Sequence, residues 1–527
     1  MSLKPNVLWV SFEDTNPFYG CYGDPVARTP NVDRLASEGC IYPKAFSTTG
    51  VCAPSRSAVI TGMYPTAIGT HHMRTSWTNK ATPELATPYE AVPPAYVKCF
   101  TEHLRRAGYY CTNNAKTDYQ FNPPFTAWDD CSQTAHWRNR PDPDQPFFAV
   151  WNPTMTHESG MWPENCEEIT FDPKDVIVPP TFPDTPKTRE TLARMYTQIE
   201  KADTILGNLL QQLEEDGLAD NTIVMHWSDH GPLPRGKRWP YDSGLHVPMI
   251  IKAPDFVKAG STNDRLVSSM DLGPTVLSMC GLDVPPTMQG KAFLGAEEEP
   301  PRTYIHASRD RYDESFDKIR ATRDEKFKYI RHDTPDKPYM IWVPFLNRHP
   351  IMEELWEGHL QGTLSPAQSL MFQPRPSEEL YDTENDPHEI NNLAKDPEYR
   401  DTLLRLREEC KRWCKDIGDM GEIDEVEMVN SWWPDGEQPT TATPIFLPIQ
   451  TDNLARSPID GSMRASGKLH LHCTTQGSSI GYRYSGERDW KLYHLPFEPE
   501  AGKTVETKAI RIGYKESSIS ELQITQA

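Results

Sequence analysis

The stretch Val51-Cys-Ala-Pro-Ser-Arg-Ser-Ala-Val-Ile-Thr-Gly62 places Cys52 beside a proline, a serine and Arg56 in a region rich in turn formers. A cysteine nucleophile of the ordinary kind needs a nearby base or a helix N-terminus to form its thiolate, and no histidine lies within ten residues of Cys52. The surroundings fit a modification signal better. Upstream lies the acidic pair Glu13-Asp14; far downstream come Thr156-His157-Glu158 and Ser228-Asp229-His230-Gly231. If Glu13, Asp14 and Asp229 meet, they repel one another and are costly to desolvate, so either a cation sits among them or they are spread over the surface. Hard oxygen ligands favour Ca²⁺ or Mg²⁺ over zinc, and His230 adds a nitrogen that leaves Mn²⁺ open. Cys410 and Cys414 share a helical i, i+4 spacing but lack the second ligand pair a zinc site needs.

These groups need elements to carry them. Asn6 to Phe12, Pro146 to Trp151 and Thr222 to Trp227 are short apolar runs that read as buried strands; a polar cluster follows the first and third directly and the second after a short turn. Between the last two, Leu192, Tyr196, Ile199, Ile205, Leu206, Leu209, Leu210 and Leu213 recur at three- and four-residue intervals, predicting one long helix that ends near Gly217. Strands alternating with amphipathic helices predict an α/β fold with a large, mostly parallel sheet covered on both faces. In such sheets ligands collect at the carboxyl ends of the strands, which is where the three clusters fall.

The pattern divides the chain into residues 1–300, a catalytic core, 301–435, an α+β subdomain, and 436–527, an appended small β unit. Tyr304-Ile-His306 and Lys326 to Arg331 read as strands of a second, antiparallel layer. Pro397 to Trp413 reads as a helix with Leu403, Leu404, Leu406 and Trp413 on its apolar side. After a Pro/Thr-rich linker near Gln438 to Pro448, the runs Lys468 to His472, Ser479 to Tyr484 and Thr507 to Tyr514 alternate like strands of a small β-sandwich.

A formal net charge of −21 argues against nucleic acid or an anionic membrane as the main partner. An anionic substrate must therefore be attracted locally, by a metal or a few cations. The eleven cysteines show no disulfide-scaffold spacing and read as mostly reduced structural thiols. No apolar run approaches the roughly 18 residues of a membrane span. The sequence predicts either a cytoplasmic protein or a periplasmic one whose export signal has been trimmed.

Cys52-Ala-Pro-Ser-Arg56 followed by Thr61-Gly62 resembles the signature of type I sulfatases, within the alkaline-phosphatase-like superfamily. Accompanying segments are similar too: Asn6 to Asp14, Gly108-Tyr-Tyr110 with Lys116, Phe147 to His157, Thr222 to Gly231, Gly236-Lys237 with Val247-Pro248, Asp271 to Thr275, and Glu379 to Leu393. The resemblance covers roughly residues 5 to 415. It implies that Cys52 is oxidised to Cα-formylglycine by a formylglycine-generating or radical maturation enzyme. One hydroxyl of the hydrated aldehyde would attack sulfur and the substrate alcohol would leave; the other hydroxyl would then lose its proton to expel sulfate and restore the aldehyde. It also implies Ca²⁺ held by Glu13, Asp14, Asp229, His230 and an oxygen of modified Cys52. Arg56 would pair with the nucleophile and the metal carboxylates, Lys116 and Lys237 would clamp sulfate oxygens, and His157 would contact sulfate and act as general acid.

Two positions depart from the family pattern. Glu13-Asp14 stands where a pair of aspartates is common, and Lys116-Thr-Asp118 stands where Lys-x-His is usual, which makes Asp118 a site member of uncertain partner. Phe148 to Ser159 and Asn114 to Asp118 look closest to the bacterial heparan N-sulfatase-like branch. That likeness implies a sulfated sugar or glycosaminoglycan, on O or N, with selectivity from loops around His71, His72, Arg74, Arg309 and Arg311. The appended β unit is expected to dock against the catalytic body, support a homo-oligomer or bind polysaccharide. The competing readings are a phosphonate or phosphodiester hydrolase of the same superfamily, and a calcium-stabilised carbohydrate-binding protein in which Cys52 stays a thiol.

Overall fold

The structure, a computed structural model, describes residues 4–335 and 337–526. The chain forms two compact units, each discontinuous in sequence: Met1–Arg74 with Val150–Glu422, and Thr75–Ala149 with Ile423–Ala527.

In the first unit the strand Asn6–Phe12 pairs in parallel with Thr222–Ser228, and the register sets Phe12 opposite Ser228. Both strands therefore end at one edge, and their next residues, Glu13-Asp14 and Asp229-His230, emerge side by side. Every residue of both strands is buried, which explains why they read as continuous apolar runs with no polar alternation. Met249–Lys252 extends the sheet antiparallel to Thr222–Ser228. Cys40–Ile41 pairs antiparallel with Met249–Lys252 and parallel with Ser261–Thr262, so the sheet is mixed.

The long helix is Pro186–Glu215. Thr185 caps its N-terminus by accepting a hydrogen bond from the Thr188 amide, and Pro186 occupies the first turn, where no backbone donor is needed. Its buried stripe includes Leu192, Tyr196, Ile199, Leu206, Leu209, Leu210 and Leu213; Ile205 sits half-buried at the stripe's margin.

The second layer is a four-stranded antiparallel sheet in the order Ile305–Arg309, Ile319–Arg323, Phe327–His332, Glu378–Asp382. The helix Arg400–Ile417 lies on it and buries Leu403, Leu406, Cys410, Trp413 and Cys414. Leu404, expected on that face, is 37% exposed. The i, i+3, i+4 series passes from Leu403 through Leu406 to Cys410, and Leu404 falls about 100° off its centre. The two cysteines are thus core residues, and all eleven cysteines are free thiols.

In the second unit Tyr110–Asn114 and Asp130–Cys131 pair in parallel. The tail supplies a five-stranded sheet, Gly461–Arg464, Ser520–Thr525, Thr504–Ile510, Ser479–Tyr484 and Lys491–Leu492 in spatial order, beside the pair Ile445–Ile449 and Lys468–His472. Phe446, Leu469, Leu471, Val505, Leu522 and Ile524 form its core. Residues 75–149 are stitched to this tail: Lys98 donates to the Gly477 carbonyl at 2.7 Å, and Arg105 donates to the Trp490 carbonyl at 2.7 Å. Among the described residues, no helix is long and apolar enough to cross a membrane.

Candidate active site

Cys52 is the first residue of the helix Cys52–Thr61, all ten residues of which are buried. The motif explains the helix. Pro54 sits in the first turn, where its missing N–H costs nothing, and Gly62 closes the helix with φ +65°, its amide donating to the Ala58 carbonyl. Ser55 Oγ donates to the Asp229 carbonyl at 2.8 Å, tying the helix to the loop after Thr222–Ser228. One turn along, Arg56 Nε donates to Asp229 Oδ2 at 2.9 Å and Nη1 to Asn152 Oδ1 at 3.0 Å. The motif thus orients a carboxylate as well as presenting a cysteine.

The strand-end carboxylates converge on Cys52. Its sulfur lies 3.2 Å from His230 Nε2 and 3.9 Å from Glu13 Oε1. Ligand-type atoms of Asp14, Cys52, Asp229 and His230 lie within 4.8 Å of one another, as do those of Glu13, Asp14, Cys52 and His157. His230 Nδ1 sits 3.0 Å from the Gly231 carbonyl; a carbonyl only accepts, so this bond puts the proton on Nδ1 and turns the Nε2 lone pair toward the cluster. Asp229 Oδ1 accepts from the Asp14 and His230 amides at 3.0 and 3.1 Å. Asp14 adopts φ +48°, and its Oδ2 accepts from the Glu158 amide at 2.7 Å and Lys237 Nζ at 2.6 Å. Asp14 Oδ1 is buried without a hydrogen-bond donor.

Lys237 is 1% exposed and also pairs with Glu158 at 2.9 Å. Burial pulls its pKa down, but the Asp14 and Glu158 carboxylates outweigh that and hold it well above the ordinary lysine value. Glu158 in turn takes both Arg238 terminal nitrogens, at 2.9 and 2.6 Å; burial alone would raise its pKa, yet Arg238 and Lys237 hold it well below the usual carboxylate range. His157 Nε2 stands 3.2 Å from Lys237 Nζ.

Four buried carboxylates, Glu13, Asp14, Glu158 and Asp229, therefore face three cations, Arg56, Lys237 and Arg238. The excess negative charge, the undonated Asp14 oxygen and the inward His230 lone pair fit a hard divalent cation. The arrangement can bind an anion's oxygens between such a cation and Lys237 while a group at position 52 attacks along the helix N-terminus.

Lys116 and Asp118 belong to the second unit, in the loop after Tyr110–Asn114. Lys116 Nζ lies 3.7 Å from Asp118 Oδ2, and Asn113 Nδ2 donates to the Lys116 carbonyl at 2.9 Å. His71, His72, Arg309 and Arg311 are buried, whereas Arg74 keeps 27% of its side chain exposed. Sequence reasoning missed Glu158, Arg238 and Asn152 as members of the buried network. Glu158 and Arg238 each adjoin a residue that was singled out, and a lysine expected to be buried demands a carboxylate partner; that demand was the available signal.

The sulfatase family model matches residues 5–282, and that for the C-terminal part of N-sulphoglucosamine sulphohydrolase matches residues 230–342. The chain is 42% identical over 563 aligned positions to an ulvan-active sulfatase of Formosa agariphila, covering 98% of this chain and 91% of that one. It is 25% identical to human N-sulphoglucosamine sulphohydrolase, over 77% of this chain and 89% of that one. A solved structure in complex with its substrate D-glucosamine-2-N,6-O-disulfate shares the fold with a TM-score of 0.56 at 19% identity, covering 80% of this chain and all of that one. With its cysteine motif, strand-end carboxylates and two-layer architecture, this chain belongs to the sulfatase family of sulfuric ester hydrolases.

Proposed function

We propose that this sulfatase removes sulfate from a sulfated saccharide, with Cys52 converted to formylglycine beside a Ca²⁺ ion. The observation that carries this reading is the position of Cys52: first residue of a buried helix, within 4 Å of both His230 and Glu13, inside an over-acidic cluster. Glu13, Asp14, Asp229 and His230 would hold the ion, which supplies Lewis acidity at a sulfate oxygen and makes a neighbouring hydroxyl more acidic. Arg56 orients Asp229 and Lys237 offers a permanent positive charge to the sulfate. His157, next to Lys237, is placed to pass a proton to the leaving oxygen. Lys116 is assigned a second sulfate oxygen on the family pattern; Asp118, which departs from that pattern, is assigned the task of orienting Lys116, 3.7 Å away. A saccharide substrate is supported by the relatives, whose names specify ulvan and N-sulphoglucosamine.

The test is the mass of the Cys52 peptide from protein co-produced with a maturation enzyme, followed by sulfate release from sulfated saccharides and phosphate release from matched phosphate esters. Aldehyde at Cys52 with preferential sulfate release is expected. Full turnover by protein that retains the thiol would overturn the nucleophile assignment, and phosphate release in preference to sulfate would overturn the substrate class.

A further inference from the structure

Five residues, His71, His72, Arg74, Arg309 and Arg311, stood as candidates for reading the substrate beyond its sulfate, and their surroundings separate them. The His71 and His72 rings pack on each other at 4.2 Å inside the core, and His72 Nδ1 accepts from the Arg311 amide at 3.3 Å. Arg311 Nη1 donates to the Met73 and Asp313 carbonyls at 3.1 and 2.6 Å, binding the two chain segments to each other. Arg309 is sealed over the Trp239 ring and faces Asp317 at 3.6 Å. His72 and Arg311 build a scaffold, within which the buried Arg309 guanidinium makes no hydrogen bond. Arg74 is what the scaffold presents.

Met73 bridges Tyr312, and its amide donates to the Arg311 carbonyl at 2.9 Å. The reciprocal Tyr312–Ser315 bonds then close a tight turn. At its tip Asp313 meets Arg74, carboxylate Oδ1 to Nε at 2.8 Å. Both partners sit in the left-handed region, Arg74 at φ +55° and Asp313 at φ +45°. Strained backbone at both ends of one ion pair is kept only where the surroundings enforce it, and such strain gathers at ligand clamps. Asp14 and Arg238, in the buried cluster, share this conformation.

The pair also borders that cluster on two sides. Tyr312, beside Asp313, lies under the Arg238 guanidinium at 4.9 Å, and Arg238 holds Glu158. The Arg74 guanidinium lies over the Phe345 ring at 5.2 Å, and Phe345 lies 6.1 Å from the His157 ring. Arg74 is thus a partly exposed cation two ring contacts from the group proposed to protonate the leaving oxygen. Its Nε faces Asp313 Oδ1 as an ion pair whose two atoms are not aligned as a hydrogen bond, and its plane is laid on an aromatic face; a planar guanidinium so placed suits recognition of an oxyanion.

Resting on the proposed sulfatase site, we propose that Arg74, positioned by Asp313 and Phe345, selects substrates carrying a second anionic group, carboxylate or sulfate, on or next to the sugar that bears the scissile sulfate. The experiment measures kcat/KM of mature wild type, R74Q, R74K and D313N on three disaccharides: one with a uronate carboxylate beside the scissile sulfate, its carboxyl-reduced form, and the reduced form bearing a second sulfate. Wild type is expected to prefer an anion-bearing member at least about tenfold, the strength of one charge-assisted bidentate contact. R74Q should collapse that preference toward one, mainly through KM; D313N should weaken it, and R74K should restore part of it. Preference for the carboxylate over the second sulfate, or the reverse, identifies the anion. A wild type indifferent to the second anion, or an R74Q that lowers all three substrates equally, overturns the proposal. If no sulfate is released from any, the hydrolase reading fails, while calorimetric binding of the same saccharides to wild type and R74Q still reads the discrimination.

Discussion

Two buried charge clusters in the first unit follow opposite rules. In the smaller sheet, Arg320 takes Asp310 and Asp419 on its two sides, with Nη2 to Asp310 Oδ1 at 3.0 Å and Nε to Asp419 Oδ2 at 2.6 Å. Arg375 and Arg309 share Asp317, at 2.7 and 3.6 Å. By charge, three guanidinium groups match three carboxylates, although the Arg309 nitrogens make no hydrogen bond. At the strand ends, four carboxylates face three cations, and one carboxylate oxygen is left without a donor. Equal burial with unequal balance marks which cluster is structure and which is a site, because an unmatched buried charge costs several kcal/mol unless something else binds there.

The sharpest break is chemical. C52A should lower sulfate release on the order of 10⁴-fold or more, the scale of removing a nucleophile, and move the melting temperature little. Unchanged turnover would remove Cys52 from the reaction. In the balanced cluster, R320M strands Asp310 and Asp419 and should cost about 3–5 kcal/mol in denaturant unfolding. Its response to added Ca²⁺ should stay that of wild type; a lost response would mean the two clusters are one. Third, chelation should lower the stability of wild type, and Ca²⁺ at about 100 times its Kd should return about 2.7 kcal/mol. D14N should abolish that return in a thermal-shift titration.

The smallest effects separate two nearby aspartates by sign. Burial pushes Asp317 up, but Arg309 and Arg375 outweigh it and hold its pKa below the usual value. Its contribution to stability is therefore present above the unfolded-state value near 3.8 and is lost as pH falls below it. Asp313 is pushed up by burial to about 6, with Arg74 and Arg238 opposing. Its ionised form is penalised in the fold above pH 6, and the penalty fades as pH falls toward 3.8. Urea titrations across pH should show D313N gaining on the order of 1–3 kcal/mol at pH 7 and nothing near pH 4. D317N should lose stability at pH 7 and less near pH 3. A shared sign would erase the distinction between rim and core carboxylates.

Much of the site was legible because its parts follow strands. Asn6–Phe12 and Thr222–Ser228 are mostly apolar and buried throughout, so their ends, and the acids after them, could be located without coordinates. The helix Arg400–Ile417 shows the limit: three closely spaced leucines looked equivalent, and only docking on the antiparallel sheet turned Leu404 outward. His230 shows it more sharply. No histidine neighbours Cys52 in sequence, yet docking of its helix on the loop after Thr222–Ser228, through Ser55 and the Asp229 carbonyl, brings His230 to 3.2 Å.

What the residues alone determined was chemistry and local form: the strand runs, the long helix ending near Gly217, and the acids awaiting a cation. These follow from side-chain polarity, periodicity and backbone freedom, which act over a few residues. Only the tertiary structure decided that residues 75–149 fold with the tail 423–527. It alone showed that Glu158 and Arg238 neutralise each other beneath Lys237 and that Arg74, out of five candidates, keeps part of its side chain exposed. Those outcomes depend on which distant groups share one buried space, where desolvation makes every unmatched charge count and where local preference carries no information.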